Sequence, residues 1–379
     1  MIPKYKFHLL GLAHLPTSKE ILPCAYTQKI VNLTKMLTSL GHEVILYCGE
    51  GSETSATEQV ICVSDADRKR VYGDYDWKRD FFKHDPKDEV HQTFNKNAIT
   101  EILARKQPRD FLLCPMGNYD KPIADAVGLM TVESGIGYTG VFAPYKVFES
   151  YAWMHHVYGL MNQTHPNFYD CVIPNYYDPA DFMGDIPQKV GGYYLFIGRL
   201  IQHKGLQIAI ETTDRLGAKL IVAGQGDLKN VEGRDFSRYK HVEHVGTVGL
   251  EDRNELYKNA IATFTPTTYL GPFEGVAVES QLWGTPVITT DWGVFAETVK
   301  HGKTGYRCRT MNDFYWASLN VTGLDRKYIR KRALANYSMD RVRWKYQQYF
   351  ENLSDLWYND GWYHLHENGS ELEWLKEYE

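Results

Sequence analysis

A chain of 379 residues with a net charge of −5 is long enough for two domains and lacks the basic surplus of a general nucleic-acid or anionic-membrane binder. Its six cysteines are scattered, with no Cys-x-x-Cys and no Cys/His cluster at ligand spacing. That argues against a structural zinc site and reads as free thiols in a reducing compartment, the cytoplasm. No apolar run reaches the roughly 18 residues that a spanning helix needs.

The N-terminal run "MIPKYKFHLLGLAHL" places two lysines before apolar residues, as a leader would. His8 and His14 interrupt it and no small-x-small site follows, so it is read as a first strand. A helical period follows (Ile30, Leu33, Met36/Leu37, Leu40), stops at Gly41 and passes into the strand "EVILYC", which predicts a βαβ start. Short apolar runs recur at "QVICV", "DFLLCP", "GLMTV" and "DCVIP". After a Gly/Pro-bearing link at 183–192 a second series begins: "YYLFIG", "KLIVAG", "HVEHVG", "ATFTP" and "PVITT". Strands alternating with helices in both halves predict an α/β fold of two Rossmann-like domains with a cleft between them, and ligands outside the carboxyl ends of the strands. The expected domains are residues 1–185, with an insertion at 67–97 rich in charged and aromatic residues, and residues 190–340. A helix and tail at 341–379 are expected to pack back on the first domain. Ser338 is a candidate N-cap for that helix. The basic stretch 326–345, whose one acid is Asp340, is either a solvated face or a meeting point for an anionic surface.

A nucleotide diphosphate needs fixed positive charge and backbone N–H donors, and its ribose needs one carboxylate able to take two adjacent hydroxyls. The second half supplies these. "YYLFIGRLIQHKG" places Arg199 just after a strand with Lys204 five residues on, and "GPFEGVAVE" offers small-residue amides opening a helix that carries Glu279.

The pieces "VIPNYYDPADF", "FIGRLIQHKG" (196–205), "LIVAGQGD" (220–227), "HVGTVG" (244–249), "EGVAVESQLWGTPVITTDWGVFAETV" (274–299) and "HGKTGYRC" (301–308) resemble, in order, the donor domain of a GT-B glycosyltransferase of the retaining family-four type, glycosyl transferases group 1. The resemblance covers roughly residues 170–308; before that it is limited to "LTKMLTSLGHEVILY". It implies that Gly198, Arg199 and Lys204 hold the diphosphate and assist its departure, and that Glu279 takes the ribose hydroxyls. Pro272, Phe273, Glu274, Gly275 and Val276 would face the sugar and distal phosphate, and Gly246 to Gly249, with Val248, would line the base. The donor would be of UDP or GDP type, carry a hexose and be used with retention, without metal or cofactor. The family's two glutamates stand seven residues apart. Here the first of those positions is Gly271, and Glu274 stands where a glycine is usual. Glu274 is therefore expected to turn toward sugar or acceptor in place of the missing carboxylate, the alternative being a helix-terminal charge pointing to solvent. The family's donor-facing histidine is replaced by Glu133 in "GLMTVESGIGY", which either holds a sugar hydroxyl or caps a turn. His14, Thr17 and Tyr138 are candidate acceptor-side residues, the acceptor being a glycan, lipid, protein or modified nucleic acid. Two rivals remain: a nucleotide-sugar binder without transfer, and a metal-dependent GT-A enzyme using Asp65 and Asp67 of "VICVSDADRKR".

Overall fold

The computed structural model describes residues 3–22, 24–74, 80 and 82–358. It divides into two compact units. The first comprises the chain up to Glu149, Met154–Asp178 and the C-terminal segment from Ser338; the second comprises Ser150–Trp153 and Pro179–Tyr337. The main passage from first to second unit thus falls at Asp178/Pro179, ahead of the Gly/Pro link, and a short piece near residue 150 belongs to the second.

The first unit is built on a seven-stranded, all-parallel sheet in the order β3-β2-β1-β4-β5-β6-β7. Its strands are β1 (Lys6–Leu10), β2 (Glu43–Gly49), β3 (Glu58–Val63), β4 (Phe111–Leu113), β5 (Met130–Ile136), β6 (Tyr145–Phe148) and β7 (Cys171–Val172). Helix α1 (Ala25–Ser39) buries Ile30, Leu33, Met36 and Leu37, the residues of its apolar period, and the chain turns out of it through Gly41 at φ +82°. The expected insertion at 67–97 is mostly regular crossover. Helix α2 (Asp65–Tyr72) opens on a Ser64/Asp67 capping box and α3 (Glu89–Arg105) on the Asp88 side chain. Of the stretch between them, residues 75–79 and 81 lie outside the described residues. The sequence reading passed over β6 because Lys146 interrupts a four-residue run; the side chain is nonetheless buried. Helices α4 (Lys121–Val127) and α5 (Tyr151–Leu160) follow in the chain.

The second unit holds a six-stranded parallel sheet, β10-β9-β8-β11-β12-β13. Its strands are β8 (Tyr193–Ile197), β9 (Lys219–Ala223), β10 (Val242–Gly246), β11 (Thr263–Thr265), β12 (Val287–Thr290) and β13 (Gly305–Cys308). Between them lie α6 (Leu206–Leu216), α7 (Leu250–Asn259), α8 (Gly275–Leu282) and α9 (Phe295–Thr298), followed by α10 (Met311–Asn320) and α11 (Arg326–Tyr337). The last helix, α12 (Met339–Tyr358), begins immediately after Ser338 and packs on the first unit, where Val342, Tyr346, Phe350 and Leu353 join the core formed by Phe7, Leu33 and Phe111. Each such buried side chain is worth about 1.5–3 kcal/mol. Residues 359–379 of the expected tail lie outside the described residues.

Two arginines of the basic stretch 326–345 point inward. Arg326 donates to the carbonyls of Ala260 (2.9 Å) and Lys258 (2.8 Å), beside Thr285, and Arg330 reaches the carbonyls of Gly184 and Phe182. These two arginine forks satisfy carbonyls at helix ends, whereas Lys327, Lys331 and Arg341 of the same stretch are exposed.

Candidate active site

In the second unit the strand order reverses between β8 and β11, and the loops leaving those two strands bring the key residues together. After β8, Gly198 donates its N–H to the Ala223 carbonyl (3.0 Å), which ties this loop to the end of β9. Arg199 projects as an exposed side chain. A single 3₁₀ turn, Gln202–Lys204, then presents Lys204. After β11 the chain runs through Thr267, Tyr269 and Gly271 into α8, whose N-terminal residue Glu274 stands in the left-handed region (φ +57°, ψ +62°). For a residue with a Cβ that backbone costs on the order of 1–2 kcal/mol.

The compensation is visible. The Lys204 ammonium donates to both Glu274 oxygens, at 2.9 and 2.8 Å, and the Thr267 hydroxyl donates to Oε2 at 3.2 Å. Lys204 also lies 5.1 Å from the centre of the Tyr269 ring. Burial alone would push the ammonium down, but Glu274 and Tyr269 outweigh it and hold Lys204 above its usual range. Glu274 is buried, so the solvent-pointing alternative is set aside. Gly271 explains how the carboxylate fits: a Cβ added there would lie 2.8 Å from both Cγ and Cδ of Glu274 and closer still to Oε1. The glutamate three residues on occupies the space a side chain at 271 would need.

Further along α8, Glu279 accepts from the Tyr257 hydroxyl at 3.0 Å and pairs with Arg253 at 3.3 Å. Both partners come from one face of α7, where they stand four residues apart. The sequence reading missed them, together with Thr267 and Tyr269, because none belongs to a recognisable spacing. Pro272 accepts from the Ser150 hydroxyl at 2.7 Å, and the Phe273 ring is buried edge-on to Tyr337 at 5.8 Å, so of this loop only backbone can face a ligand around Phe273. Gly275 and Val276 form the first turn of α8. Gly246 ends β10 and its carbonyl accepts from Gly224 N–H (2.7 Å); Val248 is half-buried just before α7.

The first-unit candidates separate. Glu133 is fully buried in β5: Oε2 accepts the N–H groups of Phe142 (3.0 Å) and Ala143 (2.9 Å), and Oε1 accepts the Tyr138 hydroxyl (3.1 Å). It staples the loop after β5, which favours the turn-capping alternative over the sugar-facing one, and Tyr138, expected as an acceptor contact, serves this staple instead. Burial raises its carboxyl to about 7 against those hydrogen bonds, and burial raises neighbouring Asp120 to about 8. Asp65 and Asp67 are likewise spent: Asp67 completes the cap of α2 and Asp65 pairs with Arg68. Among the described residues no group of three or more His, Cys, Asp or Glu is arranged to hold a metal ion, and no helix is long and apolar enough to cross a membrane. The two aspartates of the metal-dependent rival are thus engaged in a helix cap and an ion pair. All six cysteines are free.

Two parallel Rossmann-like sheets, the second with a cation–carboxylate pair at its switch point, define a GT-B fold. Residues 191–321 match the family described as glycosyl transferases group 1. Over 119 residues the chain is 34% identical to an uncharacterized glycosyltransferase of Methanocaldococcus jannaschii; the match covers 29% of this chain and 30% of that protein, so it spans about a third of the relative's length. Among solved structures, a glycosyltransferase involved in avilamycin A biosynthesis superposes with a TM-score of 0.66 at 18% identity, covering 92% of this chain and 98% of that one. HepE of Anabaena, solved with UDP and glucose, superposes at 0.67 with 13% identity, covering 93% and 100%.

Proposed function

We propose that this chain is a glycosyltransferase that moves a hexose-type sugar from a UDP- or GDP-type donor to an acceptor hydroxyl with retention at the anomeric carbon. The observation that carries the proposal is the switch point between the loops after β8 and β11, where Lys204, five residues after Arg199, stands beside Glu274 and, along α8, a ribose-type carboxylate, Glu279, is held in place by Tyr257 and Arg253. Glycosyl transfer needs positive charge where the leaving diphosphate gathers negative charge, and fixed N–H and ammonium donors supply it without reorganisation. Arg199 and Lys204 neutralise that charge as the anomeric C–O bond breaks. The acceptor oxygen bonds to the same face of the sugar, and the acceptor proton passes to the departing phosphate oxygen. No protein carboxylate pair is required for this step. Glu274 shares Lys204 with the diphosphate and turns a carboxylate lone pair toward a sugar hydroxyl. That HepE was solved with UDP and glucose supports the donor class. The free cysteines fit a reducing compartment such as the cytoplasm.

The test is a thermal-shift panel of UDP, GDP, ADP and dTDP and their sugars, with and without magnesium, on wild type and Glu279→Ala. Saturation at about a hundred times the dissociation constant adds roughly 2.7 kcal/mol. A shift for one nucleotide, magnesium-independent and lost in Glu279→Ala, is expected. Absence of any shift, or a shift only with magnesium, overturns the donor assignment.

A further inference from the structure

The resemblance gives Glu279 both hydroxyls of a ribose, which needs one open lone pair on each carboxylate oxygen. One of those oxygens is already engaged. Oε2 accepts the Tyr257 hydroxyl at 3.0 Å and stands 3.3 Å from Arg253 Nη1, so both of its lone pairs face a donor. Oε1 has no donor among the described residues and is not sealed from solvent. The two donors are held where they are. The Thr285 hydroxyl donates to the Tyr257 carbonyl at 2.6 Å. One residue from Arg253, Asn254 accepts from the Trp283 indole N–H at 3.0 Å and donates to the Asp181 carbonyl at 2.7 Å. These contacts fasten α7 to the end of α8 independently of Glu279. The Tyr257 side chain is fully buried and has no solvent to turn into when a nucleotide enters. Arg253 keeps only 17% of its side chain exposed. The pair thus engages one carboxylate oxygen and presents the other.

What Oε1 can hold follows from the shape of the ligand. Hydroxyl oxygens on adjacent ring carbons lie about 2.8 Å apart and subtend about 60° at an acceptor about 2.8 Å away, whereas the lone pairs of one carboxylate oxygen diverge by about 120°. One oxygen therefore makes one good charge-assisted hydrogen bond to such a pair, and whichever hydroxyl is present can serve it. On the donor reading above, on which this inference rests, we propose that Tyr257 and Arg253 make the ribose site of Glu279 a one-hydroxyl site. It takes donors built on a 2′-deoxyribonucleoside diphosphate as readily as those built on the ribonucleoside. Glu279 remains the group that touches the nucleotide. Tyr257 and Arg253 act through it, as positioning residues that decide how much of the carboxylate the nucleotide reaches. A carboxylate open at both oxygens would lose a charged hydrogen bond with the 2′-hydroxyl, which is a loss of more than about tenfold in affinity. Here the 3′-hydroxyl stands in for the missing one.

The test is titration calorimetry of the full chain with UDP, 2′-deoxy-UDP and 2′,3′-dideoxy-UDP, and with the same three forms of GDP, so that the base is constant within each series. The deoxy form is expected within about threefold of its parent ribonucleotide, and the dideoxy form, which leaves Oε1 empty, more than about tenfold weaker. Tyr257→Phe and Arg253→Met each vacate a lone pair on Oε2. In both, the deoxy form should fall at least about fivefold below its parent, whatever happens to the overall affinity. A merely structural role for the two side chains would weaken parent and deoxy form alike and leave that ratio unmoved. Circular-dichroism melts confirm the fold of both variants. A deoxy form already about tenfold weaker than its parent on the wild type overturns the proposal. So does a ratio that stays unchanged in both folded variants. In those two outcomes the parent nucleotide still binds and the donor reading stands. Equal binding of all three forms removes Glu279 from the ribose, and no binding in either series sinks the donor reading and this inference with it.

Discussion

The contact between Gly271 and Glu274 makes a sharp prediction, because it assigns the space beside one residue to the side chain of another. In Gly271→Ala the new Cβ lands 2.8 Å from Cγ and Cδ of Glu274, and relief requires the carboxylate to swing away from Lys204 and Thr267. Removing one partner of a buried pair costs about 3–5 kcal/mol. Here the partner is displaced rather than removed, and the Lys204 side chain is 19% exposed and recovers some hydration, so the loss is closer to about 2 kcal/mol. Gly271 does not have a positive φ, so alanine returns about 0.4–1 kcal/mol through the unfolded chain. The net cost is about 1–2 kcal/mol, a fall of roughly 3–6 °C in the unfolding of a unit this size. In a Glu274→Gly background there is no carboxylate to strike, and the same substitution becomes neutral or slightly stabilising. A double-mutant cycle by denaturant unfolding reads this as a coupling of about 2 kcal/mol, since the alanine gain cancels between the two backgrounds. Additive effects, or a Gly271→Ala that costs nothing in the wild type, would refute the placement of Glu274. In activity assays Glu274→Gly loses turnover and the exchanged pair Gly271→Glu/Glu274→Gly regains part of it.

Other expectations follow from the same geometry. Glu133 and Asp120 have folded-state values of about 7 and 8, above their unfolded ones, so their stabilising contribution is full below about pH 4 and is lost as pH rises through those values. Urea unfolding at pH 5 to 8 should show falling stability, and Glu133→Gln, which keeps an oxygen for the two backbone N–H groups, should flatten the slope below pH 7; an unchanged slope would discount Glu133. Arg326→Met strips donors from the Ala260 and Lys258 carbonyls and should cost about 2–4 kcal/mol in stability, with no effect on binding to anionic vesicles. Tyr257→Phe releases the hydrogen bond that orients Glu279 and should weaken nucleotide affinity by about 0.5–1.5 kcal/mol, measured by calorimetry, while kcat at saturating donor stays near wild type.

Periodicity and glycine placement were enough to read most of the architecture. The α1 period, Gly41 and the runs that became β1 to β5 and β8 to β12 are local signals, set by which side chains must leave water along a helix face or a strand. The short edge-side strands β6 and β13 escaped because Lys146 and Arg307 break their apolar pattern, and their pairing is settled by neighbours already in the sheet. At the candidate site, the order of motifs pointed to Arg199, Lys204 and Glu279, and the exchange of glycine and glutamate at 271 and 274 was visible in the chain itself. What Glu274 does with its charge was not, because Lys204 stands 70 positions earlier and only the switch point between β8 and β11 brings the two within 2.8 Å. Glu133 likewise reads the same in sequence whether it faces a ligand or staples a loop. Its role was decided by backbone N–H groups nine and ten residues ahead, folded back onto a buried carboxylate that has no water to turn to.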